Sequence, residues 1–170
     1  MATSDRTILK NLRAGQYGSV TLTNQYPASG NPVDDQDRRT ITIMGPLANT
    51  TAGNDYRYNG LVFQRAAQII ACRILPPANL TSNDTNYTTV ALVYNDDAGG
   101  ADVTISSATT KTSGSGGTGD WTANRSLAMT VTAANSQVAA AKALQFTLTH
   151  TAAGVVVPAG TMLLVDYQEV

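Results

Sequence analysis

The chain is poor in the side chains that most site chemistry needs: one histidine (His150), one cysteine (Cys72), one tryptophan (Trp121) and two phenylalanines in 170 residues. A lone cysteine excludes a disulfide within the chain, and with a lone histidine it cannot furnish a Cys/His zinc cluster. A Ser-His-Asp arrangement would have to run through His150, with no other histidine available. Charge is scarce as well, at 11 basic against 12 acidic residues, 14% of the chain and a net charge of -1. Sequence-independent nucleic-acid binding needs many phosphate contacts, so this balance argues against nucleic acid as a partner. No apolar run approaches the roughly 18 residues of a membrane-spanning helix. The opening Met1-Ala-Thr-Ser-Asp-Arg6 carries no apolar segment of a signal peptide, which points to synthesis in the cytoplasm and to no membrane partner.

Small side chains are abundant instead, with 24 alanines, 24 threonines and 10 serines. Such a composition suits short strands and tight turns better than long Leu-rich helices. The length is that of one ordinary domain. Residues 1–37 differ from the rest: apolar residues are sparse, Gly15, Gly18, Pro27, Gly30 and Pro32 punctuate the stretch, and Asp34-Asp35-Gln36-Asp37 closes it. Only Ser19-Val20-Thr21-Leu22-Thr23 alternates, as an edge strand would. The segment reads as an extended N-terminal arm that takes its order from a surface outside its own core.

From Arg39 the pattern becomes that of strands. Thr40 to Met44 alternates and stops at Gly45-Pro46. Residues 61–75 read as one long bent strand, because Ile70, Cys72 and Ile74 recur at period two, although Gln64 to Ala71 could also begin a helix. Tyr87 to Tyr94, Val103 to Thr110, Leu127 to Val131, Leu144 to Leu148 and Met162 to Tyr167 alternate in turn, the last with Met162, Leu164 and Asp166 facing away from Leu163, Val165 and Tyr167. Lys111 to Gly119 is a spacer loop by composition, and the alanines from Ala133 to Ala143 suggest a short helical turn after Asn135-Ser136. Strands at this spacing indicate an all-β antiparallel sandwich over residues 38–170.

The sequence offers few groups suited to chemistry. His150 shares a face with Phe146 and Leu148, and only Asp166 or Asp102 suggest themselves as neighbours. Cys72 sits between Ile70 and Ile74 and reads as a buried thiol. Asp34, Asp35 and Asp37 lack the glycine and the terminal glutamate of a calcium loop, while Asp96 and Asp97 are turn residues, so neither a metal nor a cofactor is expected. A polysaccharide hydrolase would need two carboxylates at a set separation, and no pattern selects a pair from Asp102, Asp120 and Asp166. Five Asn-x-Ser/Thr sequons, at Asn49, Asn79, Asn83, Asn86 and Asn124, read as by-products of Asn/Thr-rich turns.

Two phrases carry a resemblance: Ile74-Leu-Pro-Pro-Ala-Asn-Leu-Thr-Ser-Asn-Asp84-Thr-Asn-Tyr87 running into the strand to Tyr94, and Gly119-Asp-Trp121 with the later Gly154-Val-Val-Val-Pro158-Ala-Gly160-Thr-Met-Leu-Leu-Val165. Over residues 74–165 the chain resembles small jelly-roll domains of tailed bacteriophages, among them head decoration, or cement, proteins. The resemblance implies a jelly-roll β-sandwich and a non-enzymatic structural protein on the outer surface of the phage head. It further implies the major capsid protein and copies of itself, as dimer or trimer, as partners. By residue type, Arg6, Arg13, Tyr17, Tyr26, Arg38 and Arg39 are the candidates for an arm contacting the capsid. The same fold also serves tail fibres and baseplates, where Trp121, Tyr87 and Tyr94 would form a platform for a host glycan. Trp121 could equally close one end of the core.

Overall fold

The computed structural model describes residues 38–95, 101–112, 114 and 116–170. The expected arm at 1–37, its edge strand at 19–23 and the turn at Asp96-Asp97 lie outside them. The described residues form nine strands, and every pair among them is antiparallel. β1 (Arg38–Met44) pairs with β9 (Met162–Glu169), β2 (Tyr56–Val62) with β8 (Ala143–Thr151), β3 (Ala67–Leu75) with β6 (Leu127–Val131), and β4 (Tyr87–Asn95) with β5 (Val103–Thr109). This nesting is that of one long hairpin. Rolling it up sets β9 against β3 and β8 against β4, which yields two four-stranded sheets, β1-β9-β3-β6 and β2-β8-β4-β5. The all-β jelly-roll expectation is met.

β6 joins the sheets along one side, pairing with β3 through Leu127 to Met129 and with β5 through Thr130 and Val131. The short β7 (Gln137–Val138) extends the first sheet beside the start of β3. On the other side the edge strands β1 and β2 approach each other at Ile43 and Gly60. A Cβ on Gly60 would lie 2.5 Å from Ile43 Cδ1, so closure of this seam depends on the missing side chain. Among the described residues no helix is long and apolar enough to cross a membrane.

Period-two alternation builds the core. Ile43, Ile69, Cys72, Ile74, Leu163 and Val165 point inward from one sheet, Val90, Leu92, Ile105, Leu144, Phe146 and Leu148 from the other, and all are buried. The facing alternation read at the end of the chain is borne out: Leu163, Val165 and Tyr167 are in the core, and Met162, Leu164 and Asp166 lie on the outside of the sheet.

Residues 61–75 correct the expectation of a single bent strand. Leu61 and Val62 finish β2 in one sheet, Phe63 to Ala66 turn the corner, and β3 starts at Ala67 in the other sheet. The corner is set by packing at a distance: Phe63, 2% exposed, donates its N–H to the Lys142 carbonyl (3.2 Å) and accepts from the Ala141 N–H (2.8 Å). The alanine segment is also corrected. A single 3-10 turn at Ala133–Asn135 precedes Ser136 rather than following it, and Ala141 takes a left-handed turn (φ 65°) into β8. The glycine loop is partly pinned: the Thr109 N–H donates to Gly116 O, and the Thr109 carbonyl accepts from the Thr118 N–H (3.0 Å) and hydroxyl (2.9 Å).

The connections 45–55, 76–86, 110–126 and 152–161 meet at one end of the sandwich, where short polar side chains tie them together. Asn49 Oδ1 accepts from the Ala159 N–H (2.8 Å), Asn79 from Ala123 (2.8 Å), Asn83 from Thr85 and Asn86 (2.9 and 2.7 Å), and Asn86 from Ala153 (3.3 Å). Asn124 adopts φ 59°. All five sequon asparagines therefore do turn work, as their setting suggested.

Candidate assembly interface

The two outer sheet faces differ in chemistry. On β2-β8-β4-β5 the outward positions include Arg57, Asn59, Gln145, Thr147, Thr149, Thr89 and Ser107, with the buried Ala91 and Val93 lying among them. On β1-β9-β3-β6 the register places Met44 beside Met162, Met162 beside Leu75, and Leu164 between Thr42 and Arg73. Met44 is 53% exposed, while Leu75, Met162 and Leu164 are half-buried, and the next loop adds Leu47 at 93%. An antiparallel sheet that faces only water mostly carries polar residues at such positions, so these four give this face an apolar stretch, with Met44 its exposed member.

Towards the start of β1 the same face turns ionic. The Asp166 carboxylate, with the residue 6% exposed, accepts from Thr40 Oγ1 (2.6 Å), from Arg73 Nη2 at both oxygens (3.1 and 2.9 Å) and from Arg38 Nη2 (3.3 Å). Three strands, β1, β9 and β3, are thereby joined through one side chain. A carboxylate this buried is tolerated because every lone pair finds a donor. Arg39 makes a looser, exposed pair with Glu169 at 3.2 Å. Of the residues proposed for the arm, Arg38 and Arg39 thus open β1 already engaged with β9, and Arg6, Arg13, Tyr17 and Tyr26 lie outside the described residues.

The structure does not assemble the sugar platform. Trp121 is 1% exposed; its backbone exchanges hydrogen bonds with Leu80 (2.9 and 3.1 Å) and its indole N–H donates to Thr118 Oγ1 (2.9 Å). It plugs the loop end of the core, and a ring without an open face cannot stack on a sugar. Tyr87 and Tyr94 occupy opposite ends of β4, the first under the Lys111 ammonium (4.1 Å to the ring centroid), the second packed against the core.

Candidate catalytic groups are likewise dispersed. His150 cross-pairs with Thr88, donates its backbone N–H to Asp55 Oδ1 (2.8 Å) and packs its ring against Tyr56 and Gly154, away from both Asp166 and Asp102. Burial pushes the Cys72 thiol up to about 12, only partly offset by a hydrogen bond with Ser106. Such a thiol holds its proton and is a poor nucleophile. Asp120 takes the backbone N–H and hydroxyl of Ser82 (2.8 and 2.7 Å), which hold its carboxyl below the usual range. Asp102 pairs with Arg57, whose hydrogen bond lowers it in the same direction. Among the described residues no group of three or more His, Cys, Asp or Glu side chains is placed to hold a metal ion.

Sequence reasoning missed two clusters, Asp166 with Arg38, Arg73 and Thr40, and Arg57 with Asp102, Gln145 and Asn59. Their members are separated by up to 128 residues and no local spacing announces them. The outward apolar face was half visible, in the alternation of Met162 and Leu164 against the core residues.

No family model matches the chain, and neither does any curated protein. Among solved structures, the chain is similar over 91% of its length to infectious bursal disease virus, Gt strain, with 11% identity and a TM-score of 0.37, and to the Gx strain, with 12% identity and a TM-score of 0.35. The T13 particle of the same virus follows, with 14% identity over 91% of this chain and a TM-score of 0.28. The chain spans 41 to 44% of the length of these proteins.

Proposed function

We propose that the protein is a non-enzymatic decoration, or cement, protein that binds the outer surface of an assembled phage head and bridges neighbouring major capsid proteins. The observation that carries this reading is the outward face of β1-β9-β3-β6, where Met44, Leu75, Met162 and Leu164 form an apolar field within one sheet. The rest of the fold is suited to a static part: a jelly roll closed at Gly60 and Ile43, with its loops tied by Asn, Asp, Ser and Thr side chains. Residues 1–37 enter the sandwich at Arg38, on the same sheet as the apolar field, and supply the chain that reaches onto neighbouring subunits. Copies of the protein associate as dimers or trimers on the capsid's symmetry positions.

The test is binding to preassembled capsids stripped of accessory proteins. The intact chain binds saturably at a fixed ratio per capsid subunit. A truncation lacking residues 1–37 and a Met44→Glu, Met162→Glu double variant bind more weakly. Absence of binding by the intact folded protein refutes the reading and favours a tail fibre or baseplate location.

A further inference from the structure

We propose that Asn59 is a site of spontaneous covalent modification, deamidated within the folded protein with help from a hydrogen-bond relay running from Arg57 through Gln145. Asn59-Gly60 is the sole Asn-Gly pair in the sequence. A glycine in the second position leaves its amide nitrogen sterically free to approach the preceding side chain. Both residues are exposed on the edge strand β2. The pairing of β2 with β8 is regular as far as Asn59 opposite Gln145, lapses at Gly60 and Leu61, and resumes at Val62 opposite Ala143. The attacking nitrogen therefore belongs to a residue without a register partner, at an irregularity of the strand pairing.

The neighbouring side chains are oriented for the reaction. Gln145 Nε2 donates to Asn59 Oδ1 at 3.0 Å, the oxygen on which negative charge collects as the amide carbon becomes tetrahedral. Gln145 Oε1 in turn accepts from Arg57 Nη1 at 2.5 Å, and Arg57 is held by Asp102 (Nη1 to Oδ1, 2.9 Å). A cation at the head of the chain polarises the amide between them and strengthens its donation to Asn59.

In the step itself the Gly60 nitrogen gives its proton to a solvent base and bonds to Asn59 Cγ. The Cγ–Nδ2 bond then breaks and the nitrogen leaves as ammonia, taking its extra proton from water. The resulting succinimide is opened by one water at either carbonyl, giving aspartate or isoaspartate. Overall, water enters and ammonia leaves with no change of oxidation state. Either product adds a negative charge beside Arg57. Isoaspartate also inserts a methylene into the main chain next to Gly60, where β2 closes on Ile43.

The protein contains its own control. Asn135-Ser136 is chemically the next most exposed to this reaction, yet Asn135 Nδ2 donates to Thr104 O (2.7 Å) and the Ser136 N–H to Ala133 O (3.4 Å), so both reacting groups are engaged. The experiment ages the full folded chain in mildly alkaline buffer and follows it by peptide mapping and isoaspartate-specific methylation, with a urea-unfolded sample alongside. Expected is a gain of one mass unit at Asn59 with two separable products, Asn135 unchanged, and rates about fivefold lower in folded Gln145→Ala and Arg57→Gln, while all three chains react alike in urea. Asn59 persisting in the folded chain over the time that converts it in urea overturns the proposal. Equal rates in the folded wild type and both variants overturn the relay.

Discussion

Replacing Asp166 by alanine removes the acceptor shared by Arg38, Arg73 and Thr40, and the structure sets the size of the loss. Removing one member of a fully buried ion pair typically costs about 3–5 kcal/mol, mainly by stranding the partner charge. Here the carboxylate side chain is 8% exposed but the Arg38 and Arg73 side chains are 38% and 41% exposed, so water recovers part of their solvation. The expected destabilisation of Asp166→Ala is therefore about 2–3 kcal/mol, closer to the worth of charged hydrogen bonds than to that of a buried pair. Arg38→Ala, which deletes one contact of 3.3 Å at the rim, costs about 0.5 kcal/mol, and Arg73→Ala, with 2.9 and 3.1 Å contacts, falls between the two. Urea unfolding followed by circular dichroism measures all three, with Asp166→Ala lowering the midpoint by about 1 M at unchanged slope. An Asp166→Ala loss no larger than that of Arg38→Ala would refute the claim that this carboxylate holds three strands together.

Three further predictions rest on single side chains. Gly154 has φ +66° and a Cβ there would stand 2.0 Å from His150 Cδ2, so Gly154→Ala costs about 2 kcal/mol or more in urea unfolding, and His150→Ala in the same chain restores part of it. Cys72 resists alkylation in the folded protein and reacts once the chain unfolds. Because its folded value of about 12 lies above the ordinary 9.0, its share of stability is complete below about pH 9 and is lost as the pH rises towards 12, which alkaline unfolding curves will show. Trp121 fluorescence is blue-shifted, shielded from iodide and unmoved by added glycans, and Trp121→Ala costs about 3–5 kcal/mol; a red-shifted, quenchable signal would contradict its burial.

Strand positions were legible wherever one face meets the core and the other meets water, because period two is then written into consecutive residues, as from Tyr87 to Tyr94 and from Met162 to Tyr167. The corner at Phe63 to Ala66 was not legible. It contains neither glycine nor proline, and the break is imposed by Phe63 seating in the core and bonding to Ala141 and Lys142. The alanine segment misled for a related reason: its helix-favouring side chains are overridden by Ser136, whose carbonyl accepts from the Ile69 N–H (2.8 Å), and by β7 joining β3. Of the interface, the outward alternation of Met162 and Leu164 could be read locally, while the Asp166 cluster is a product of register between strands 93 and 128 residues apart.

The position of Asp166 also matters for how the sandwich carries load. β1 starts where β9 finishes, with Arg38 opposite Gln168, so tension applied through the chain entering at Arg38 acts across the end of the β1–β9 ladder. In that geometry the backbone bonds come under stress one after another, as in a zip, instead of sharing the force as they would in shear. The first side-chain fastenings met are Arg39 with Glu169 and then Asp166 with Arg38, Thr40 and Arg73, and the last of these ties the peeling strand to β3, one strand further in. Side-chain polar resistance is thus concentrated at the mouth of the zip, and beyond Thr40 the ladder is held by its backbone bonds and by Ile41 and Ile43 seated on and in the core.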